Sequence, residues 1–410
     1  MALFALYQSA CFSGQAVASR QLEVDQQKSG RLSRIKKAGC SPCGGMTLKL
    51  NRRSFVTAMG AAGGFSLMPT RLVFAQNTAT VSLGNASGVI DAQLVFMTVG
   101  QNPRVNYYER EGVALDIINM SGAGQTLQAV ASGNSDTSAI SPVAFLNAFA
   151  GNPDLDVIFP YCWLREPHWS VAVKDDSEIK ELSELRGKKI GIRNQGDTGY
   201  FGARAMLEEI GINPDVDVEW IPVGEGGPAG EAVYNGSVDA MAYWDGGFSR
   251  MEIAGFPLRH LPNTEGMSQL FGNSYAIRKS SLEDQRDTMV RFFRAMAKST
   301  VFAYNDLEKA VALHWEVYPE SKPRGVSEEE AMRDAMVILN ARADKWMPRE
   351  GQPDQRFGAH SEEQWQAMVA FTGLADKISD VSGVSTTDLL DEINDFDREE
   401  VIRESNELQL

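Results

Sequence analysis

Between residues 76 and 410 two kinds of run alternate along the chain. Short stretches rich in β-branched and aromatic residues predict strands, and stretches with apolar positions three to four apart predict helices. The first set predicts strands over 81–86, 113–120, 136–141, 156–163 and 169–174, with helices over 94–108, 124–133 and 142–151. Gly133 stops the second of these helices, and Pro142 opens the third in its first turn. A second set follows: a short helix 180–187, strand 188–193, an amphipathic helix 198–212 closed by Gly211, strand 217–223, helix 228–236 and strand 238–244. Strands over 258–263 and 273–279 complete it, and the pattern then turns helical, with runs 284–305, 306–317, 326–345, 361–376 and 386–393.

Such alternation is the signature of an α/β fold. Two sets in series predict two α/β lobes with a ligand cleft between them and a helical C-terminal extension. Strand 273–279 is placed to carry the chain back to the first lobe. The expected boundaries are 76–172 for the first part of lobe 1, 173–272 for lobe 2, and 273–410 for the return and the C-terminal helices. In open α/β sheets ligands sit outside the carboxyl ends of the strands, so the loops feeding helix N-termini are the places to look for chemistry.

Charge separates the body from what precedes it. The formal net charge is −15, but residues 1–75 hold ten Lys/Arg and two Asp/Glu, leaving 29 Lys/Arg against 52 Asp/Glu in the body, a net of −23. A body this acidic lacks the basic footprint of a nucleic-acid binder. Cys11, Cys40 and Cys43 lie in the basic segment and Cys162 alone in the body, which excludes a disulfide scaffold there. Within 46–75, Lys49, Arg52 and Arg53 precede a mildly apolar stretch and end in Val73-Phe74-Ala75, as in an export signal. The run Arg52-Arg53-Ser54-Phe55 resembles the twin-arginine signal, although Asn51, Val56 and Thr57 depart from its usual flanks. Residues 1–45 are expected to be a non-native or disordered upstream segment, with translation starting at Met46 and the mature chain near Gln76.

The body carries a further likeness. The runs YYEREGVAL (107–115), LQAVASG (127–133) and IKELSELRGKKIGI (179–192) are followed by YFGARAMLEEIGI (200–212), GSVDAMAYWDGGF (236–248) and MVRFFRAMAKSTVFAYNDLEKAV (289–311). In that order they resemble substrate-binding proteins of the nitrate/sulfonate/taurine and thiamine-precursor family. The resemblance implies a type II periplasmic-binding-protein fold, a periplasmic location, and a small-molecule ligand handed to an ABC permease and ATPase. Export then implies the twin-arginine translocase as a transient partner. No cofactor and no metal are expected, since the histidines show no ligand spacing such as H-x-x-x-H.

Four loops are candidates for the cleft. Ser121-Gly122-Ala123-Gly124-Gln125 joins a strand to a helix, with Gly122 and Gln125 as candidate contacts, or is a plain turn. Ser141 before Pro142 either caps the helix or donates to a ligand. Asn194 to Tyr200 enters the helix at 198, offering Asn194, Thr198 and Tyr200 together with unpaired N–H groups suited to an anion. Asp197 in the same loop is placed to occupy that N-cap and would repel an anion, with Arg193 as an offset. Trp244 and Asp245, at the end of strand 238–244, offer a flat face and an acceptor. Tyr161, Trp163, His168 and Trp169 cluster near the lobe crossover and are either core or cleft; Trp163 is the candidate contact among them. The glycine-rich run 225–230 lacks the Lys-Ser/Thr of a phosphate loop.

Two other functions remain open to the sequence. Superfamily members include enzymes, and Cys162 with Arg165 and His168 nearby invites a thiolate mechanism, although a Cys in an apolar strand is usually inert packing. A ligand-sensing protein for a signalling partner has the same lobes. Candidate ligands are organosulfonates, aromatic or heterocyclic carboxylates, and pyrimidine-type compounds.

Overall fold

The computed structural model describes residues 78–348 and 351–410. The expected upstream segment and export signal, with Met46, Arg52, Arg53 and three of the four cysteines, lie outside the described residues. The β-rich runs form β1 (Ala79–Asn85), β2 (Val113–Asn119), β3 (Thr137–Ile140), β4 (Ile158–Cys162), β5 (Trp169–Lys174), β6 (Lys189–Ile192), β7 (Glu219–Pro222), β8 (Ala240–Trp244), β9 (Leu258–His260) and β10 (Ser274–Ile277). They make two five-stranded sheets, ordered β2-β1-β3-β10-β4 and β7-β6-β8-β5-β9.

The two sheets repeat one plan. β1 pairs in parallel with β2 and β3, and β6 with β7 and β8. The fourth strand in each order, β10 or β5, is antiparallel to both its neighbours. In each case it is the first strand laid down after the chain leaves the other sheet. The boundary expected at 172/173 therefore cuts through β5, all of which belongs to the second sheet. The two crossings run side by side: Leu164 N–H donates to the Asn273 carbonyl (3.0 Å) and Gly272 N–H to the Leu164 carbonyl (2.8 Å). A β-carbon on Gly272 would stand 2.5 Å from the Glu166 carbonyl oxygen, so the close approach of the two strands requires glycine.

Each sheet buries its faces against helices. The first packs Leu83, Phe96 and Tyr275 with Phe293 of the long helix Arg286–Asn305, while Ile190, Met241 and Met206 centre the core of the second. Three expectations need correction. The helix predicted over 94–108 is interrupted after Gln101 and resumes only over Tyr107–Arg110, because Asn102, preceding Pro103, is extended (φ −62°, ψ 130°) as a residue before proline prefers. The helix predicted over 180–187 is a single tight turn, Leu182–Leu185. Asp245–Ile253, read as a loop after Trp244, is a helix. Its Gly246-Gly247 pair is disfavoured in helices by propensity but sits in close packing: a β-carbon at Gly247 would lie 2.4 Å from the Tyr243 ring, and one at Gly246 would displace the amide end of Gln93. The C-terminal helix Glu328–Asn340 packs on this same helix, and the turn Ala343–Trp346 follows it.

Candidate ligand-binding site

A cavity of about 70 Å³ lies between the lobes, lined by residues at or just beyond the carboxyl ends of β1, β2, β6 and β8. From the first lobe come Asn85, Ala86, Ser87, Gln93 and Gly122, and from the crossings Trp163, His168, Trp169 and Asn273. From the second lobe come Arg193, Asp197, Thr198 and Trp244, and from the C-terminal region Arg342. The lobes also meet directly. Arg193 donates to the Ala86 carbonyl (3.3 Å), and Arg250 of the second lobe forms an ion pair with Asp91 of the first (2.6 Å).

The second-lobe wall is built on two strand ends. Arg193, the residue after β6, lies 5.3 Å from the Trp244 ring centroid, 3.8 Å from Asp197 Oδ2, and in an ion pair with Glu225. Asp197 caps the helix Thr198–Glu209, its Oδ1 accepting from Gly199 N–H (3.0 Å). Burial pushes its carboxyl above the usual carboxylate range, opposed by that N–H and by Arg193.

The wall at the crossings is aromatic and cationic. Trp163 stacks on Phe96 (4.5 Å between centroids, 22°), and the Arg342 guanidinium stands 5.4 Å from the Trp163 centroid. Arg342 gives Nε (3.1 Å) and Nη2 to Asp245 Oδ1, while Lys345 Nζ donates to Oδ2 (3.0 Å). Burial alone would raise the Asp245 carboxyl, but Arg342 and Lys345 hold it well below the carboxylate range. Burial also keeps His168 neutral, its pKa well below the ordinary histidine value. Three lining side chains carry a buried polar atom with no hydrogen-bond partner among the described residues: Trp163 Nε1, His168 Nδ1 and Asn273 Oδ1. Native proteins rarely leave such atoms unpaired, and a polar ligand group is one way to complete them.

Of the residues the sequence singles out, Gly122, Trp163, Thr198 and Trp244 line the cavity. The other five are engaged elsewhere. Gln125 Oε1 accepts from Ser121 N–H (2.8 Å), Ser141 Oγ caps its helix by accepting from Ala144 N–H (3.3 Å), and Asn194 Oδ1 accepts from Gly196 N–H (2.9 Å). Tyr200 packs edge-on against Trp220 (5.0 Å) and accepts from Arg204 (3.2 Å). The carboxylate of Asp245, held by Arg342 and Lys345, lies outside the cavity lining. The aromatic cluster divides: Trp163, His168 and Trp169 line the cavity, whereas Tyr161 stacks on Phe293 (5.0 Å, 7°) in the core. The lining residues Asn85, Ala86 and Ser87 were not singled out, although the strand-end rule applied to the other loops points to them equally. Gln93, Asn273 and Arg342 carry no local signal. Among the described residues no three His, Cys, Asp or Glu side chains group as a metal site, and no helix is long and apolar enough to cross a membrane.

The NMT1/THI5-like family description matches residues 97–310, more than half of the chain. The chain belongs to the NMT1/THI5-like family. A Bacillus subtilis (strain 168) protein provisionally named an aliphatic sulfonates-binding protein is 25% identical over 147 residues, which span 36% of this chain and 43% of that relative. Among solved structures, a Bordetella bronchiseptica RB50 protein superposes with a TM-score of 0.59 at 18% identity, covering 78% of this chain and 98% of the other. The alkanesulfonate-binding protein SsuA of Xanthomonas axonopodis pv. citri, solved with MOPS, gives 0.54 at 17% identity over 73% and 93%. The periplasmic aliphatic sulphonate binding protein SsuA of Escherichia coli gives 0.54 at 15% over 73% and 92%. At these identities the likeness is one of fold, and the fold is the two-lobed α/β arrangement of type II periplasmic binding proteins.

Proposed function

We propose that this protein is a periplasmic solute-binding protein that captures a small organic molecule and delivers it to the permease and ATPase subunits of an ABC importer, after export by the twin-arginine translocase. The observation that carries the reading is the cavity itself. It is lined from both lobes at strand ends, and the two paired crossings beside it form a hinge about which lobes can close. Closure around a ligand gives an importer a state to distinguish from the empty form. The names of the Bacillus, Xanthomonas and Escherichia relatives favour an organosulfonate; aromatic or heterocyclic carboxylates and pyrimidine-type compounds remain in the candidate set. The enzyme alternative loses support from the placement of Cys162. Burial pushes its thiol up to about 11, its Sγ donates to the Leu164 carbonyl (3.4 Å), and it is absent from the cavity lining.

A thermal-shift screen of the purified protein against these compound classes tests the reading. A true ligand at about a hundred times its dissociation constant adds roughly 2.7 kcal/mol to folding stability. With that ligand, Trp244→Ala is expected to weaken binding by on the order of 2 kcal/mol, about thirtyfold, as loss of a buried aromatic anchor does elsewhere. Wild-type affinity in this variant places the ligand away from the cavity. Turnover of a compound that Cys162→Ser abolishes would replace the binder with an enzyme.

A further inference from the structure

The helix Asp245–Ile253 of the second lobe meets the first lobe at two charged contacts of opposite sense. At its start the Asp245 carboxylate takes Arg342 and Lys345. Further along, Arg250 gives Nε (3.2 Å) and Nη2 (2.6 Å) to Asp91 Oδ2. Both sets of partners are built into the first lobe. Arg342 and Lys345 follow the helix Glu328–Asn340, whose Ala331, Ala335, Ile338 and Leu339 belong to the first-lobe core. Asp91 caps the turn Ala92–Leu94, its Oδ1 accepting from Gln93 N–H (3.1 Å), and Gln93 in turn lies against Gly246 of the same second-lobe helix.

The two contacts differ in what else holds them. The Asp245 end is fixed at the crossings, where Asp245 N–H donates to the His168 carbonyl (2.8 Å) and Arg165 N–H to the Lys345 carbonyl (2.8 Å). A rotation of the lobes about the crossings leaves these groups together. The Arg250 end lies roughly 7 Å further along the helix axis. Among the described residues its one bond to the first lobe is the Asp91 carboxylate. The two side chains are only 20% and 17% exposed, so water and salt screen the pair weakly.

We propose that this helix is an ionic clasp between the lobes, anchored at Asp245 and releasable at Arg250, and that the Asp91–Arg250 pair by itself shifts the lobes towards the closed arrangement, whatever the cleft binds. The pair uses protein atoms alone, so its contribution to closure adds to that of any ligand. Opening then requires the Arg250 end to let go while the Asp245 end acts as the pivot. The Arg250 guanidinium also stands 5.8 Å from the centroid of the Trp244 ring, which lines the cavity, so release of the clasp frees a group that rests on the cavity wall.

Amide hydrogen exchange read by mass spectrometry on the full chain, with no ligand added, tests the proposal. Asp91→Asn keeps the acceptor that caps the turn and removes the charge; Arg250→Gln removes its partner. The readout is taken away from both residues, at segments 119–124 of the first lobe and 193–199 of the second. These meet across the cavity, where a β-carbon on Gly122 would stand 3.9 Å from Arg193 Nη1, and neither has a hydrogen bond or ion pair to Asp91 or Arg250 among the described residues. Each variant is expected to speed exchange in both segments by about threefold or more, in proportion to the gain in open form, while amides within β1 and β5 keep their wild-type rates. The double variant is expected to exchange no faster than the faster single one, because the second change removes a partner already lost. Wild-type rates at both segments in both variants overturn the proposal. So do double-variant rates equal to the product of the single effects, which would show two residues acting separately. Faster exchange that extends equally to β1 and β5 reports lost stability rather than opening, and overturns it as well. None of these outcomes bears on whether the cleft binds a solute, which the thermal-shift screen decides.

Discussion

Asp197 and Asp245 stand at matching places, each where a strand of the second lobe gives way to a helix, and each is nearly buried at 7% and 9% exposure. Their surroundings differ. Asp197 has a backbone N–H at 3.0 Å and a guanidinium at 3.8 Å that is also paired with Glu225, so burial dominates and its carboxyl is raised. Asp245 is enclosed by Arg342 and Lys345, and its carboxyl is depressed although burial alone would raise it. The cationic partners of Asp245 come from the C-terminal region, while Gly246 N–H of its own lobe also donates to it (2.7 Å). One plan of strand and helix thus yields a carboxylate facing the cavity with its charge only partly compensated, and another that ties the second lobe to the C-terminal helices. Topological equivalence places the two side chains; the supply of counter-charge decides what each does.

Removing the charge from each is the most direct way to break this comparison. Asp245→Asn leaves Arg342 and Lys345 without their anion in a buried setting and is expected to destabilise the protein by about 3–5 kcal/mol. Asp197→Asn keeps the helix cap and relieves a poorly compensated charge, so its cost is expected to stay below about 1 kcal/mol. Urea unfolding of the two variants measures both. Equal losses would mean that the two carboxylates carry the same structural burden.

The same contrast shows what the sequence reveals and what it withholds. The alternation of strands and helices is legible because each element answers to its own periodicity, and the ends of β2, β6 and β8 point to Gly122, Thr198 and Trp244. Asp197 as an N-cap is legible for the same local reason. Asp245 is not. Gly246-Gly247 reads as a loop, yet it lies in a helix whose glycines sit against Gln93 and Tyr243, a tertiary fact. Gln125, Ser141 and Asn194 carry suitable chemistry in suitable loops, but backbone N–H groups two to four residues away claim their acceptors first; the sequence offers that outcome at Ser141 as a helix cap without deciding it. Arg342, 97 residues beyond Asp245, reaches the cavity only through the packing of helix Glu328–Asn340 on helix Asp245–Ile253.

Acid sharpens the comparison, with a smaller effect for each pH unit. Falling pH removes an unfavourable charge at Asp197, whose pKa is raised, and removes support at Asp245, whose pKa is depressed, as it passes through each folded value. Above that range the four histidines of the body set the slope. Burial lowers all of them, His314 and His360 to about 4, while an unfolded chain protonates histidine near 6.5. Between those values the unfolded state binds more protons, so stability is lost as pH falls from about 6.5 towards 4, by at most about 1.4 kcal/mol per pH unit for each histidine. Urea titrations across this range are expected to show the decline. His360→Gln, which keeps a donor for the Phe159 carbonyl that His360 Nε2 meets at 3.2 Å, is expected to make it shallower, the other three histidines still contributing. A decline confined to pH below 4 would assign acid sensitivity to the carboxylates instead.

The smallest expected effect concerns Cys162, at the end of β4 and one residue from the cavity wall at Trp163. If nearness to the charged wall were enough to recruit a side chain, this thiol would feel it, and Arg165 does act to lower its pKa. Burial outweighs that pull and leaves the thiol protonated at neutral pH, donating to the Leu164 carbonyl in the same crossing that Gly272 and Asn273 pair with. Cys162→Ser replaces a weak donor with a smaller and more polar one in an apolar site. A stability loss of about 1 kcal/mol is expected, with ligand affinity unchanged within about twofold. Urea unfolding and calorimetry read the two quantities separately. A large loss of affinity at unchanged stability would show that the wall at the crossings extends to β4, and that the division drawn between the side chains of the core and those of the cavity falls one residue too late.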